Sequence, residues 1–281
     1  MKLIVTHINP DLDALSSIWL IRRYLPGFQG DDVGYAFVPA GTTYGSVPVD
    51  ADPDVVHVDT GLGKYDHHQL PGKKSAFLQI YTQFLKLNYF PAYDIGALAR
   101  MEKVITAYDN FQELYFADIQ QDYHQFSLDS ALSGLSHVKG ITDEGKVNIA
   151  LPLFDAVLQI MKNKMKAEKD ITEGVVFETK AFGRSIFMEN TNNDSMKFAQ
   201  KSGFNLVARK DPEKGNIRIV CVPDEKYDLT PIYEEIKRRD KVGSWFFHQS
   251  RHMLLNGSLV NPTMIPSPLT SSQLLEILKT F

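Results

Sequence analysis

Residues 3–25, LIVTHINPDLDALSSIWLIRRYL, constrain the fold more than any other stretch of this chain. An apolar run leads straight into His7, Asp11 and Asp13. A helical pattern then starts at once, with Leu15, Ile18, Trp19 and Leu25 at helical spacing and Pro26–Gly27 to end it. A short β-branched run of this kind reads as a buried parallel strand, and a strand that feeds a helix directly begins a βα unit. Such a unit needs a sheet with helices packed on it. DVVHVD (54–59) is a second run of the same type, VGYAFVPAG (33–41) a third, and residues 75–90 and 94–109 read as two helices. The alternation predicts an α/β N-terminal half with a mainly parallel sheet.

The clearest helix is 148–169, NIALPLFDAVLQIMKNKMKAEK. Leu151, Phe154, Leu158, Met161 and Met165 form one apolar stripe, and Lys166 and Lys169 suit the C-terminal end. Beyond it the texture changes to GVVFETKAFGRSIFMEN, FNLVARKDPEKGNIRIVCVP and SWFFHQSRHMLLNGS, short strands separated by turn chemistry. DPEKGN reads as a hairpin loop and TPIYEEIKRRD as a helix. The expected division is an α/β domain over residues 1–175 and a smaller α+β domain over 176–281. At 281 residues two domains are comfortable.

Composition narrows the function classes. A net charge of −4 leaves no global positive field for nucleic acid or anionic lipid, so long duplex DNA is not an expected partner. Lys and Arg are frequent from 201 to 241, but Asp and Glu interleave with them, as on a solvated surface. No apolar stretch approaches the roughly 20 residues of a membrane span, and MKLIVTH is not a signal peptide, so no membrane association and a cytoplasmic location are expected. Cys221 is the only cysteine; it lies in the apolar run IRIVCVP and reads as a buried, inert thiol.

Four of the eight histidines fall within the first 68 residues, among carboxylates. His7, Asp11 and Asp13 form one cluster. Asp59 ends DVVHVD, and a Gly-containing turn leads to Asp66, His67 and His68. Asp109 closes a helix in VITAYDN. Taken singly, a strand-terminal aspartate is as often a helix cap or turn former. Taken together they converge, because open α/β sheets gather their ligands at the carboxyl ends of parallel strands. Several aspartates in one crevice raise one another's pKa unless a cation joins them. Carboxylates mixed with imidazoles suit Mn²⁺, Zn²⁺, Fe²⁺ or Co²⁺, whereas Mg²⁺ favours oxygen shells. A close pair of such ions is a standard device for phosphate-ester hydrolysis.

HINPDLDALSS resembles the first motif of the DHH phosphoesterase superfamily, and Asp66-His67-His68 resembles its name-giving triplet. That superfamily includes family II pyrophosphatases, RecJ-type exonucleases, oligoribonucleases and cyclic-dinucleotide phosphodiesterases. VDTGLGKYDHHQ and AYDN look closest to the Myg-type metal-dependent exonuclease branch. The resemblance covers residues 3–110, and WFFHQSRHMLLNGS is loosely similar to that branch's late histidine-and-glycine segment. The Gly-Gly-His motif of DHHA1 substrate domains and the pyrophosphatase Ser-Arg-Lys-Lys signature are both absent.

The resemblance implies two divalent ions, foremost Mn²⁺, one held by His7, Asp11 and Asp59 and the other by Asp13, Asp59, His67 and Asp109. Asp59, Asp13 and His68 would carry the chemistry, with His68 facing the substrate phosphate. Asp66 would support a ligand and Asn9 would fix the loop. The implied activity is hydrolysis of a phosphodiester or phosphomonoester in a nucleotide or short single-stranded oligonucleotide by metal-activated hydroxide. A pyrophosphatase-like hydrolase and a non-catalytic nucleotide- or metal-binding relative are the alternatives, and a homodimer stays open. A DHHA1-like second domain would bind substrate, with His248, Arg251, Asn256 and Ser258 as candidates and Arg209 behind them. His57 reads as a core or ligand-supporting residue, and His124 and His137 as surface.

Overall fold

A computed structural model of the chain describes residues 2–257, 261 and 263–281; Ser258, one of the candidate substrate-binding residues, lies outside them. The chain divides into two compact units, Met1–Lys162 and Asn163–Phe281.

The first unit begins with β1 (Lys2–His7), α1 (Leu12–Tyr24), β2 (Val33–Val38) and β3 (Val55–His57). The three strands form one parallel sheet in the order β2-β1-β3, so the expected parallel sheet is present with β1 at its centre. α1 is buried at every residue from Leu12 to Ile21, as a helix apolar on most of its circumference must be. Then come α2 (Ala76–Lys86), α3 (Ala92–Asp109), α4 (Leu128–Gly134) and α5 (Asp143–Glu173), the last as far as Lys162, with short 3₁₀ turns between 112 and 126. The two helices expected at 75–90 and 94–109 are therefore α2 and α3. α5 contains the expected 148–169 segment and extends it at both ends. Pro152 withdraws one N–H from its ladder without ending the helix.

Trp19, Phe77, Phe84 and Phe154 are fully buried at the centre of this unit. Phe84 collects the rings of Tyr65, Tyr89 and Phe90 at centroid separations of 6.1, 5.2 and 5.8 Å. Tyr65 matters beyond packing, because its carbonyl accepts the N–H of Asp59 at 3.0 Å.

The second unit carries a six-stranded mixed sheet. Its elements are β4 (Val175–Thr179), β5 (Gly183–Glu189), α6 (Asp194–Lys201), β6 (Leu206–Lys210), β7 (Ile217–Cys221), α7 (Thr230–Arg239), β8 (Phe246–Phe247), β9 (Met253–Asn256) and α8 (Ser271–Lys279). The order is β4-β5-β6-β7-β9-β8, with only β5 and β6 parallel. β6 and β7 pair across DPEKGN as the hairpin pattern predicts, and α7 is the expected TPIYEEIKRR helix. Strand alternation sorts the core: Leu206 and Ala208 join Ile232, Ile236, Leu274 and Ile277, while Val207 joins Met196 and Ala199 of α6. The unit is α+β, as expected. Among the described residues no helix is long and apolar enough to cross a membrane.

Candidate metal centre

Two adjacent parallel strands deliver the first candidate ligands. β1 ends at His7, and β3 ends two residues before Asp59, so both side chains reach the carboxyl edge of the sheet. Each oxygen of Asp59 faces a different imidazole: Oδ2 is 3.3 Å from His7 Nε2, and Oδ1 is 3.3 Å from His67 Nε2. Asp59 is buried, and its φ of +52° is an uncommon left-handed conformation that costs about 1 kcal/mol. Its N–H is held by Tyr65 O, which closes the 59–65 loop and turns the carboxylate toward both histidines.

Asp11 caps α1, its Oδ1 accepting the N–H of Ala14 at 3.0 Å, and also lies 3.9 Å from His7 Nε2. Capping thus leaves this carboxylate within reach of the His7 imidazole. Asp13, one residue into α1, is 1% exposed. The first two N–H groups of α2 converge on it, Ala76 N at 2.6 Å and Phe77 N at 2.9 Å, the usual anion position at a helix start. α3 brings Asp109 from some forty residues downstream of His68, with Oδ2 at 3.6 Å from His67 Nε2; Asp13 Oδ2 is 3.8 Å from the same nitrogen.

The side chains fall into three groups whose ligand atoms all lie within 4.8 Å of one another: His7, Asp11 and Asp59; Asp13, His67 and Asp109; and Asp59, His67 and His68. Buried Asp59 Oδ1 and His67 Nε2 have no hydrogen-bond partner, although each is an obligatory polar atom out of contact with water. A cation between them would satisfy both. The donor set, carboxylates with neutral imidazoles, suits a borderline transition-metal ion.

The electrostatics of the protein alone agree. Burial pushes Asp13 well above the usual carboxylate range, with Asp59 and Asp109 adding to it. Burial also lifts Asp109 to about 6, His67 offsetting part of the effect and Asp59 and Asp11 reinforcing it. Burial opposes the charge on His7, but Asp59, the Ile8 carbonyl and Asp11 outweigh it and raise the imidazole to about 9. Asp59 moves the other way: burial opposes its charge, yet the close His67 and His7 imidazoles overcome that and hold it below its ordinary value. The cluster thus holds protons where a bound divalent ion would displace them.

Asp66 supports the triplet from beneath. It is buried and accepts the N–H groups of Leu62, His67 and His68 at 2.7, 2.7 and 3.1 Å, and its Oδ1 lies 2.7 Å from His68 Nδ1. Although burial opposes its charge, these bonds keep it ionised, so His68 Nδ1 is the donor. The His68 side chain is 58% exposed.

Asn9, at φ +58°, is gripped from α5. Its N–H donates to Asp143 Oδ2 at 3.0 Å, and its Oδ1 accepts from Lys146 Nζ and from Ser136 Oγ at 2.8 Å. Lys146, 2% exposed, is a residue that sequence reasoning missed. Nothing in its own neighbourhood announces that its ammonium ties down the loop carrying His7 and Asp11. The α2 N-terminus was missed as well, although Ser75 before an apolar helical run is a legible N-cap, and its Oγ accepts Leu78 N at 3.1 Å.

Other candidates stand apart from this cluster in chemistry. His57 is buried, with Nε2 accepting Tyr44 N at 3.0 Å. His137 is exposed, and His124 Nε2 lies 3.1 Å from Ala117 O. In the second unit, exposed His248 pairs its Nδ1 with Ser250 Oγ at 2.8 Å, and Arg251 pairs with Asp228 at 3.1 Å. Asn256 is fully buried; its amide donates to the carbonyls of Ser244 and Ile265, and its carbonyl accepts Ser267 N. Arg209, 5% exposed, donates to Asn190 O and Asn193 Oδ1. These two side chains are used as internal clamps. Burial pushes the Cys221 thiol up to about 12, which leaves it unreactive.

No protein-family model and no curated protein matches the chain. Among solved structures, it is similar to RecJ in complex with Mg²⁺ from Thermus thermophilus, at 12% identity and a TM-score of 0.32, over 99% of this chain and 48% of that one. It is also similar to exonuclease RecJ bound to manganese, at 13% identity and 0.31, over 99% and 88%. An uncharacterized protein from Helicobacter pylori matches at 11% identity and 0.28, over 99% and 98%. The chain spans about half the length of the Thermus RecJ. At these TM-scores the case for a metal centre rests on the side chains described above.

Proposed function

We propose that this protein is a divalent-metal-dependent phosphoesterase with a dinuclear centre built on Asp59. The observation that carries this reading is the pair of 3.3 Å approaches from the two Asp59 oxygens to two different imidazoles, with Asp59 Oδ1 and His67 Nε2 buried and unpartnered. A carboxylate so disposed suits a bridging ligand. His7, Asp11 and Asp59 would hold one ion, and Asp13, Asp59, His67 and Asp109 the other. When bound, divalent ions polarise a phosphoryl oxygen and lower the pKa of water.

The protein's own contribution is positional. The N–H groups of Ala76 and Phe77 hold Asp13 in one orientation, and Tyr65 O holds the Asp59 backbone. Asp66 fixes the His68 ring, so the exposed edge of His68 is free to meet a phosphate oxygen. The substrate class is a nucleotide or short single-stranded oligonucleotide, in keeping with a net charge of −4 that does not favour long duplexes.

The test is a screen of phosphate esters with Mn²⁺, including dinucleotides, short RNA and DNA, cyclic dinucleotides and pyrophosphate, alongside elemental analysis of the protein. The expected result is about two Mn²⁺ per chain and metal-dependent hydrolysis of a nucleotide ester. Protein that takes up no Mn²⁺, or hydrolysis unaffected by Asp59→Asn, refutes the reading.

A further inference from the structure

The apolar stripe of α5 does not end wholly in core. Phe154 and Met161 form one wall of a cavity of about 140 Å³ in the first unit, and residues of α1, α3 and α4 form the others. Two of its residues are covalently next to proposed ligands. Leu12 lies between Asp11 and Asp13, and Tyr108 precedes Asp109, each about 3.8 Å along the backbone. The cavity therefore lies beside the α1 and α3 backbone that carries these proposed ligands, and the Asp11 charge is felt at Asp129.

Its lining is apolar except near Ser127 and Asp129. Asp129 has no hydrogen-bond or ion-pair partner among the described residues, and its charged neighbours are carboxylates. Burial raises its pKa first, and Glu113 and Asp11 raise it further. Glu113 Oε2 is itself buried without a partner. An apolar slot with one unpaired carboxylate repels a phosphate and welcomes a flat apolar body with N–H donors. Tyr108, Phe154 and Met161 supply aromatic and thioether surfaces suited to a planar ring.

We infer that this cavity receives the base of the substrate, with Asp129 accepting the N–H groups on the edge of the ring. The inference rests on the phosphoesterase reading for the word substrate, but the cavity's affinity for a base does not. Guanine is the best match, because adjacent N–H donors at N1 and N2 fit the two oxygens of one carboxylate. Uracil offers a single N–H.

Base binding is measured on the full chain with Mn²⁺, by saturation-transfer NMR and calorimetry, with guanosine, uridine and ribose as probes. Guanosine should bind, uridine about tenfold more weakly, and ribose not detectably. Asp129→Asn should weaken guanosine roughly ten- to a hundredfold, the range for a hydrogen bond to a charged group, and erase the preference over uridine. Val104→Trp fills the cavity from a position 44% exposed, and should weaken guanosine at least about tenfold while Mn²⁺ uptake persists.

Equal binding of guanosine and ribose, no guanosine binding, or native affinity in both variants overturns the inference. Guanosine binding without any metal-dependent hydrolysis would leave the pocket standing and remove the phosphoesterase reading. Hydrolysis of dinucleotides without base binding here would do the reverse.

Discussion

Replacing Asp109 with Asn in the metal-free protein removes a carboxylate that folding must bury among like charges. Burial first, then Asp59 and Asp11, lift its pKa from 3.8 to about 6 against the opposing pull of His67 and His68. Its side chain is 13% exposed. The unfolded chain gives up this proton near 3.8 and the folded chain near 6, so between them the folded state holds more protons. Stability therefore falls as pH rises through that window; the loss is complete above about 6 and absent below 3.8. At about 1.4 kcal/mol per pH unit, the interval is worth about 3 kcal/mol. Urea unfolding in EDTA should find Asp109→Asn more stable than the native chain by about 2–3 kcal/mol at about pH 7.5, and within about 0.5 kcal/mol of it at about pH 4. Mn²⁺ reverses the order. A native chain at about a hundredfold excess over Kd gains about 2.7 kcal/mol per site, and the variant, lacking a ligand, gains less. If Asp109→Asn is destabilised in EDTA at the higher pH, or equally stabilised at both pH values, the carboxylate is not under the strain described.

Asp59→Asn should lose bound Mn²⁺ and at least roughly a hundredfold in kcat. Asp66→Asn, which touches no proposed ion and loosens the 62–68 turn and the His68 ring, should keep its metal and lose roughly tenfold; equal losses with full metal content would mean that Asp59 does not bridge. Asn256→Ala should act on stability, because it strands Ser244 O and Ser267 N in the second unit and leaves Ile265 O only the N–H of Ser244. A loss of about 3 kcal/mol by urea melt is expected with Mn²⁺ stoichiometry unchanged, and a loss below about 0.5 kcal/mol would show the clamp to be idle. Phe84→Ala should cost about 3–5 kcal/mol as a buried aromatic. It should also weaken Mn²⁺ binding, since Tyr65 rests on Phe84 and holds Asp59; unchanged affinity in a folded variant would break that link.

The parallel βα start is legible in local pattern, because a β-branched run feeding an amphipathic helix has one low-energy home in a sheet covered by helices. The sequence also determined which residue types could meet: His7 and Asp59 follow from strand ends, and the Asp66-His67-His68 triplet from the turn behind them. Local patterning reaches that far because strand parity and helix periodicity fix directions over a few residues. It did not reveal that α2 aims its first N–H groups at Asp13, or that Lys146 on α5 grips Asn9 from 137 positions away. Nor did it separate Asn256, buried and fully bonded, from exposed His248 a few residues earlier, since both sit in the same polar-apolar alternation. The left-handed turn at Asp59 is of the same kind: an aspartate tolerates it anywhere, and only the Tyr65 carbonyl, seated on Phe84, selects it here. Contacts between distant segments depend on how whole helices pack, and no window of sequence carries that information. The chemistry of the candidate ligands is therefore local, and their orientation comes from the packing of distant segments.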